Sequence, residues 1–104
     1  MILPIYIGSD HDVTYEGAYG GGGYLNSATV TFALKDSAGT TVSGGTGTLS
    51  YVAASSGNYA GVIQSSVTSL LTNRANYTLE ITFVQSAFDD FRRLPLRACY
   101  RERD

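Results

Sequence analysis

The stretch Ser27-Ala28-Thr29-Val30-Thr31-Phe32-Ala33-Leu34-Lys35 decides the fold class. Ala28, Val30, Phe32 and Leu34 share one face of an extended chain, and Thr29, Thr31, Ala33 and Lys35 share the other. Alternation of period two in β-branched and aromatic residues describes a half-buried strand, not a helix. The run stops at Asp36-Ser37-Ala38-Gly39, where an Asp in first and a Gly in fourth place suit a type I turn. A short strand over Thr40–Ser43 is expected to complete a hairpin, with Gly44-Gly45-Thr46-Gly47 then breaking the pattern.

Further along the chain the same period recurs. Thr48–Ala53 places Leu49 and Tyr51 on one face, and Ser55-Ser56-Gly57-Asn58 is a second turn signal. Asn58–Gln64 reads as a strand in which Gly61 marks a bulge or a close backbone approach. Tyr77, Leu79, Ile81 and Phe83 point inward from Tyr77–Val84. The final run, Phe91–Tyr100, sets Leu94, Leu96, Ala98 and Tyr100 on the inner face, and Arg93, Pro95, Arg97, Cys99 and Arg101 on the outer one. Its proline predicts an edge strand or a break in the ladder. Asp89-Asp90 is expected in the preceding turn. Toward the N-terminus, Ile5 and Ile7 alternate, then Val13 and Tyr15. Gly20-Gly21-Gly22-Gly23 is expected as a hinge or a loop hugging another backbone, since no Gly-Lys-Ser/Thr follows to make it a phosphate cradle. Ser65–Thr72 has room for one helical turn at most.

About seven short strands with turns every 8–12 residues predict an all-β fold, a single antiparallel immunoglobulin-like β-sandwich. Residues 1–23 form an N-terminal strand, arm and Gly-rich loop of the same domain, and 24–104 form its core. Leu71 precedes Tyr77 by six residues at the opening of an inward-alternating strand. That spacing resembles a tyrosine corner, in which a buried phenol satisfies a backbone group that has left the ladder; the alternative is an ordinary core aromatic.

The chain has 104 residues, with seven Lys plus Arg and nine Asp plus Glu, and a net charge of −2. A protein that coats nucleic acid is excluded on charge, and a disulfide scaffold is excluded because Cys99 is the only cysteine. No apolar run approaches the length of a membrane-spanning helix. Met1–Gly8 lacks a positive n-region and does not read as a secretory signal. The only histidine, His11, sits between Asp10 and Asp12, which an extended chain turns to the opposite side. Cys99 has no histidine nearby in sequence, so no nucleophile–base pair is visible, and no catalytic residue, cofactor or metal is expected.

Charge is distributed unevenly. The 52 residues from Ser37 to Phe88 carry only Arg74 and Glu80, whereas Arg92–Arg103 holds five arginines against one glutamate. The neutral Ser/Thr-rich centre has the composition of a covered surface. The charged ends are equally explained as solvated edges that oppose strand-to-strand aggregation.

Taken in order, Tyr24-Leu25-Asn26-Ser27-Ala28-Thr29-Val30-Thr31, Leu34-Lys35-Asp36-Ser37-Ala38-Gly39, Ser56-Gly57-Asn58-Tyr59-Ala60-Gly61 and Asn76-Tyr77-Thr78-Leu79-Glu80-Ile81 carry a family likeness. The sequence resembles small immunoglobulin-like structural proteins of tailed bacteriophages and prophages over about residues 5–100. The Gly20–Gly23 run departs from their outline. The resemblance implies a virion protein made in a host cytoplasm. It would dock in multiple copies on a symmetric assembly, as capsid decoration, cement or head–tail neck component, without direct contact to nucleic acid or membrane. Its partners would be major capsid, portal, neck or tail proteins. The expected contacts are Arg92, Arg93, Arg97, Arg101 and Arg103, whose guanidinium forks suit carboxylates. The alternative is a carbohydrate- or receptor-binding adhesion module of a phage tail or baseplate, using Tyr19, Tyr24 and Tyr51.

Overall fold

A computed structural model describes residues 2–20, 22–85 and 88–101. The protein is all-β. Among the described residues, nine strands and one helical turn follow in the order β1 (Leu3–Tyr6), β2 (His11–Tyr15), β3 (Tyr19–Gly20), β4 (Gly23–Tyr24), β5 (Thr29–Asp36), β6 (Thr41–Tyr51), β7 (Tyr59–Ile63), α1 (Ser65–Thr68), β8 (Asn76–Gln85) and β9 (Phe88–Cys99). Seven of them form one sheet in the order β1-β9-β8-β5-β6-β7-β2, nearly closed into a barrel, and β3 and β4 make a separate small hairpin. The pairing is mixed, and here the purely antiparallel expectation is corrected: β1 lies parallel to β9, with Leu3 opposite Leu96 and Tyr6 opposite Cys99.

The strong alternators form the middle of the sheet. β5 and β8 pair without a shift from Thr29–Val84 to Asp36–Tyr77. Val30, Phe32 and Leu34 face Leu79, Ile81 and Phe83 on the buried side. β6 turns the corner of the sheet. Its Thr41–Leu49 part pairs with β5, and Ser50 and Tyr51 pair with β7. The expected break at Gly44–Gly47 does not occur; the strand runs through it, with a register shift opposite Ala33–Lys35. The reason is steric. A Cβ at Gly47 would lie 2.7 Å from Phe32 Cζ, so the missing side chain makes room for the ring. Gly61 is a close approach of the same kind, with a Cβ position 2.7 Å from both Leu49 Cδ2 and Thr48 O.

The core closes around Phe83. Tyr15 of β2 stacks on it at 4.8 Å, and Tyr59 of β7 and Phe88 of β9 meet it edge-on at 5.5 and 5.9 Å. These aromatics join the inner face of β5, β8 and β9 to that of β2 and β7. Loops are held by side chains buried alongside. The Tyr59 hydroxyl donates to Leu25 O (2.7 Å) and accepts from Ala28 N–H (3.0 Å). Asn26 Oδ1 accepts from Gly57 N–H, and Asn58 Oδ1 accepts from Gly17 N–H. Asn26 and Gly57–Tyr59, distant in sequence, thus form one knot. Thr68, fully buried, accepts from Gly8 N–H and donates to Ser9 O, which fixes α1 against the β1–β2 turn. Tyr77 Oη accepts from Thr72 N–H at 2.8 Å, with Leu71 buried beside the same corner.

Candidate docking surface

Two outer surfaces and one aromatic tip collect the side chains that the core does not use. The broadest is the outer face of β6-β5-β8-β9. Register places Thr48, Thr31, Thr82 and Phe91 in one row, and Thr46, Ala33, Glu80 and Arg93 in the next. Glu80 is the hub, with Lys35 Nζ 2.9 Å away and Arg93 Nε 3.6 Å away. The only acid on the outer side of β8 is thus neutralised from both flanks, and apart from Phe91 the other members of these two rows are threonine and alanine. An open depression of about 450 Å³ lies on this face among Thr31, Ala33, Thr46, Thr48, Glu80 and Thr82. Phe91 is 53% exposed at the β9 margin.

A second surface lies at the β1–β9 edge. Ile2, Leu3, Pro4, Arg97 and Cys99 line a shallow cleft of about 280 Å³, and Arg101 lies over the Tyr6 ring at 4.2 Å. Ile2 and Leu3 are about half exposed. Apolar side chains next to two exposed arginines make an amphipathic margin. Pro95 stands immediately before Leu96–Cys99, the segment that β1 covers.

The expected arginines therefore do not act as one group. Arg97 and Arg101 belong to this margin. Arg93 is tied to Glu80. Arg92 turns the other way: its guanidinium caps the Tyr15 ring at 4.0 Å and reaches Asp90 at 3.3 Å. Arg103 lies outside the described residues. Tyr100, expected inward, is exposed because β9 ends at Cys99. Asp89 and Asp90 lie within β9, not in a turn, which corrects the reading of that pair.

Asp90 has a structural partner that sequence reasoning missed. It accepts a hydrogen bond from the Tyr15 hydroxyl at 2.5 Å. That bond, more than the Arg92 charge, holds its carboxyl below the usual range, while burial and the same bond push the Tyr15 phenol up. The signal lay in parity: Asp90 and Arg92 share the phase of Leu94 and Leu96, the inward one.

His11 sits in β2 opposite Ile63, and burial lowers its pKa against the pull of Asp12. Asp10 is used to accept from Ser65 N–H at 2.7 Å. Among the described residues no three His, Cys, Asp or Glu side chains gather to hold a metal, and no hydrogen bond joins His11 to Cys99. No helix among them is long and apolar enough to cross a membrane. At the far tip, Tyr19 and Tyr24 pair edge-to-face at 5.2 Å across the β3–β4 hairpin, both more than half exposed. Tyr51 instead donates its hydroxyl to Ser55 O and packs on Tyr59.

Comparison of the chain with protein-family models, curated proteins and solved structures finds no match.

Proposed function

We propose that this chain is a non-enzymatic structural protein of a tailed-bacteriophage virion. It docks on a larger symmetric assembly as capsid decoration, cement or head–tail neck component. The observation that carries the reading is the knot between Asn26 and Gly57-Asn58-Tyr59. Gly57-Asn58-Tyr59, the most distinctive piece of the resemblance, is bonded to the Tyr24–Thr31 piece, which supports reading the two as one structural unit and not as isolated matches. We also read this nearly closed sheet as an immunoglobulin-like sandwich, with β1, β9, β8 and β5 in one layer and β7 and β2 in the other. The parallel closure of β1 on β9, the passage of β6 between layers and the Tyr77–Thr72 bond support that topology.

Docking is assigned to the β1–β9 margin. Arg97 projects beside the apolar Ile2 and Leu3, and Arg101 lies over Tyr6 on the same strand β1, a pattern suited to an acidic partner surface with an apolar anchor. The test is Arg97→Glu combined with Arg101→Glu, followed by quantifying the protein in purified particles. Strong loss of incorporation is expected with an unchanged melting temperature; full incorporation would sink the proposal.

A second reading, glycan or receptor adhesion, has one observation in its favour: the exposed Tyr19–Tyr24 pair. A glycan array in which binding disappears with Tyr19→Ala plus Tyr24→Ala would select it.

A further inference from the structure

Among the described residues, part of the β9 edge is uncovered. The strand is twelve residues long, and β1 pairs only with Leu96–Cys99. The β8–β9 register is unbroken from Asn76–Arg97 to Gln85–Phe88, so the direction of its backbone groups alternates residue by residue. Ala98 N–H donates to Ala75 O, and Ala98 O accepts from Arg74 N–H, which turns the even-numbered residues toward β8. Cys99 O accepts from Ile7 N–H on the opposite side. The odd-numbered residues Asp89, Phe91 and Arg93 therefore aim their N–H and C=O groups at the free edge. Pro95 has the same parity, so its missing N–H costs the β8 ladder nothing. Among the described residues no backbone hydrogen bond reaches this edge between Asp89 and Pro95.

The sequence along that edge is Phe88-Asp89-Asp90-Phe91-Arg92-Arg93-Leu94. About Phe91 it is a mirror with the charges reversed: Asp90 against Arg92, Asp89 against Arg93, Phe88 against Leu94. We propose that a second copy of this chain pairs here, β9 antiparallel to β9 about a two-fold axis through Phe91, to make one sheet across two subunits.

Such an axis keeps outer residues opposite outer and inner opposite inner. Outside, Asp89 meets Arg93 of the second copy, and the two Phe91 rings meet on the axis. Inside, Asp90 meets Arg92 of the second copy, and Phe88 meets Leu94. Every opposed pair is apolar or of opposite charge, the arrangement that favours cross-strand neighbours. The aligned groups of Asp89, Phe91 and Arg93 supply about six backbone hydrogen bonds. A shift by two residues would set like charges or charge against phenylalanine, so the pattern selects its register as well as its partner. An edge charged with one sign would repel a copy of itself; this one is complementary to itself, as an isologous interface must be. The inference goes beyond the virion reading and does not depend on it, since Arg97 and Arg101 lie outside the paired segment.

The test is sedimentation equilibrium of the full chain and of three variants, each checked by circular dichroism. The chain itself should sediment at twice its 11.1 kDa mass. Asp89→Arg and Arg93→Asp each set like charges opposite in both outer pairs and should weaken the dimer about tenfold or more. Mixing those two variants restores opposite charges and should restore association. Phe91→Pro removes the central edge donor without touching the β8 ladder and should give a monomer. A monomeric parent chain at high micromolar concentration overturns the proposal. So does a dimer indifferent to Asp89→Arg and Phe91→Pro, and so does a mixture of the charge variants that fails to associate.

Discussion

Replacing Tyr59 by Phe tests the knot that joins the two halves of the chain. The ring is 1% exposed and stays in place between Phe83 and Tyr51, so removing the oxygen leaves almost no cavity. What is lost is a donor to Leu25 O at 2.7 Å and an acceptor for Ala28 N–H at 3.0 Å. An unmade hydrogen bond at a buried backbone group costs about 1–3 kcal/mol. Two such groups, the Ala28 one only partly buried, give an expected loss of about 2–4 kcal/mol. At this chain length that corresponds to a melting temperature lower by roughly 8–16 °C. Urea unfolding at constant m-value is the assay, because an unchanged slope shows that the folded state has kept its compactness. Tyr51→Phe is the control, since its hydroxyl serves only the local turn at Ser55, and a loss of about 1 kcal/mol or less is expected. A Tyr59→Phe loss below about 0.5 kcal/mol, or one no larger than the control, would refute the reasoning.

Two further outcomes follow from packing and from charge. Gly61→Ala puts a methyl 2.7 Å from Thr48 O, which is backbone and cannot rotate away, and should destabilise by about 1–3 kcal/mol in the same assay. Asp90 is held below its ordinary pKa by the Tyr15 hydroxyl, so its contribution is present above the unfolded carboxylate pKa and is lost as pH falls through the folded value. Stability measured from neutral pH down into the acid range should fall less steeply for Asp90→Asn than for the parent chain, and identical slopes would contradict the assignment.

Legibility in the sequence followed the strength of the alternation. β5 and β8 stand where their period-two pattern places them, because each buries a complete row of Val, Leu, Ile or Phe. β6 reads as two strands in the sequence because Gly44, Gly45 and Gly47 are turn residues by propensity. In the fold their bareness admits Phe32 and Leu34 from the next strand, a requirement set by a residue a dozen positions away. Asp89-Asp90 misled in the same way, since an acidic pair signals a turn until Tyr15, distant in sequence, supplies a hydroxyl to the inward member. The arginine-rich end was visible as a cluster, but its division among the Glu80 hub, the Tyr15 ring and the Arg97–Arg101 margin depends on which side of β9 each residue takes. The parallel addition of β1 had no local signature at all, because Leu3–Tyr6 is too short to carry a pattern of its own.

The proposed place of this domain in an assembled virion is tested by residue-resolution density of purified particles produced from the genome that encodes the chain. The domain is expected there in repeated copies, with Arg97 and Arg101 against carboxylates of another virion protein. Particles that form without the chain among their components would contradict it.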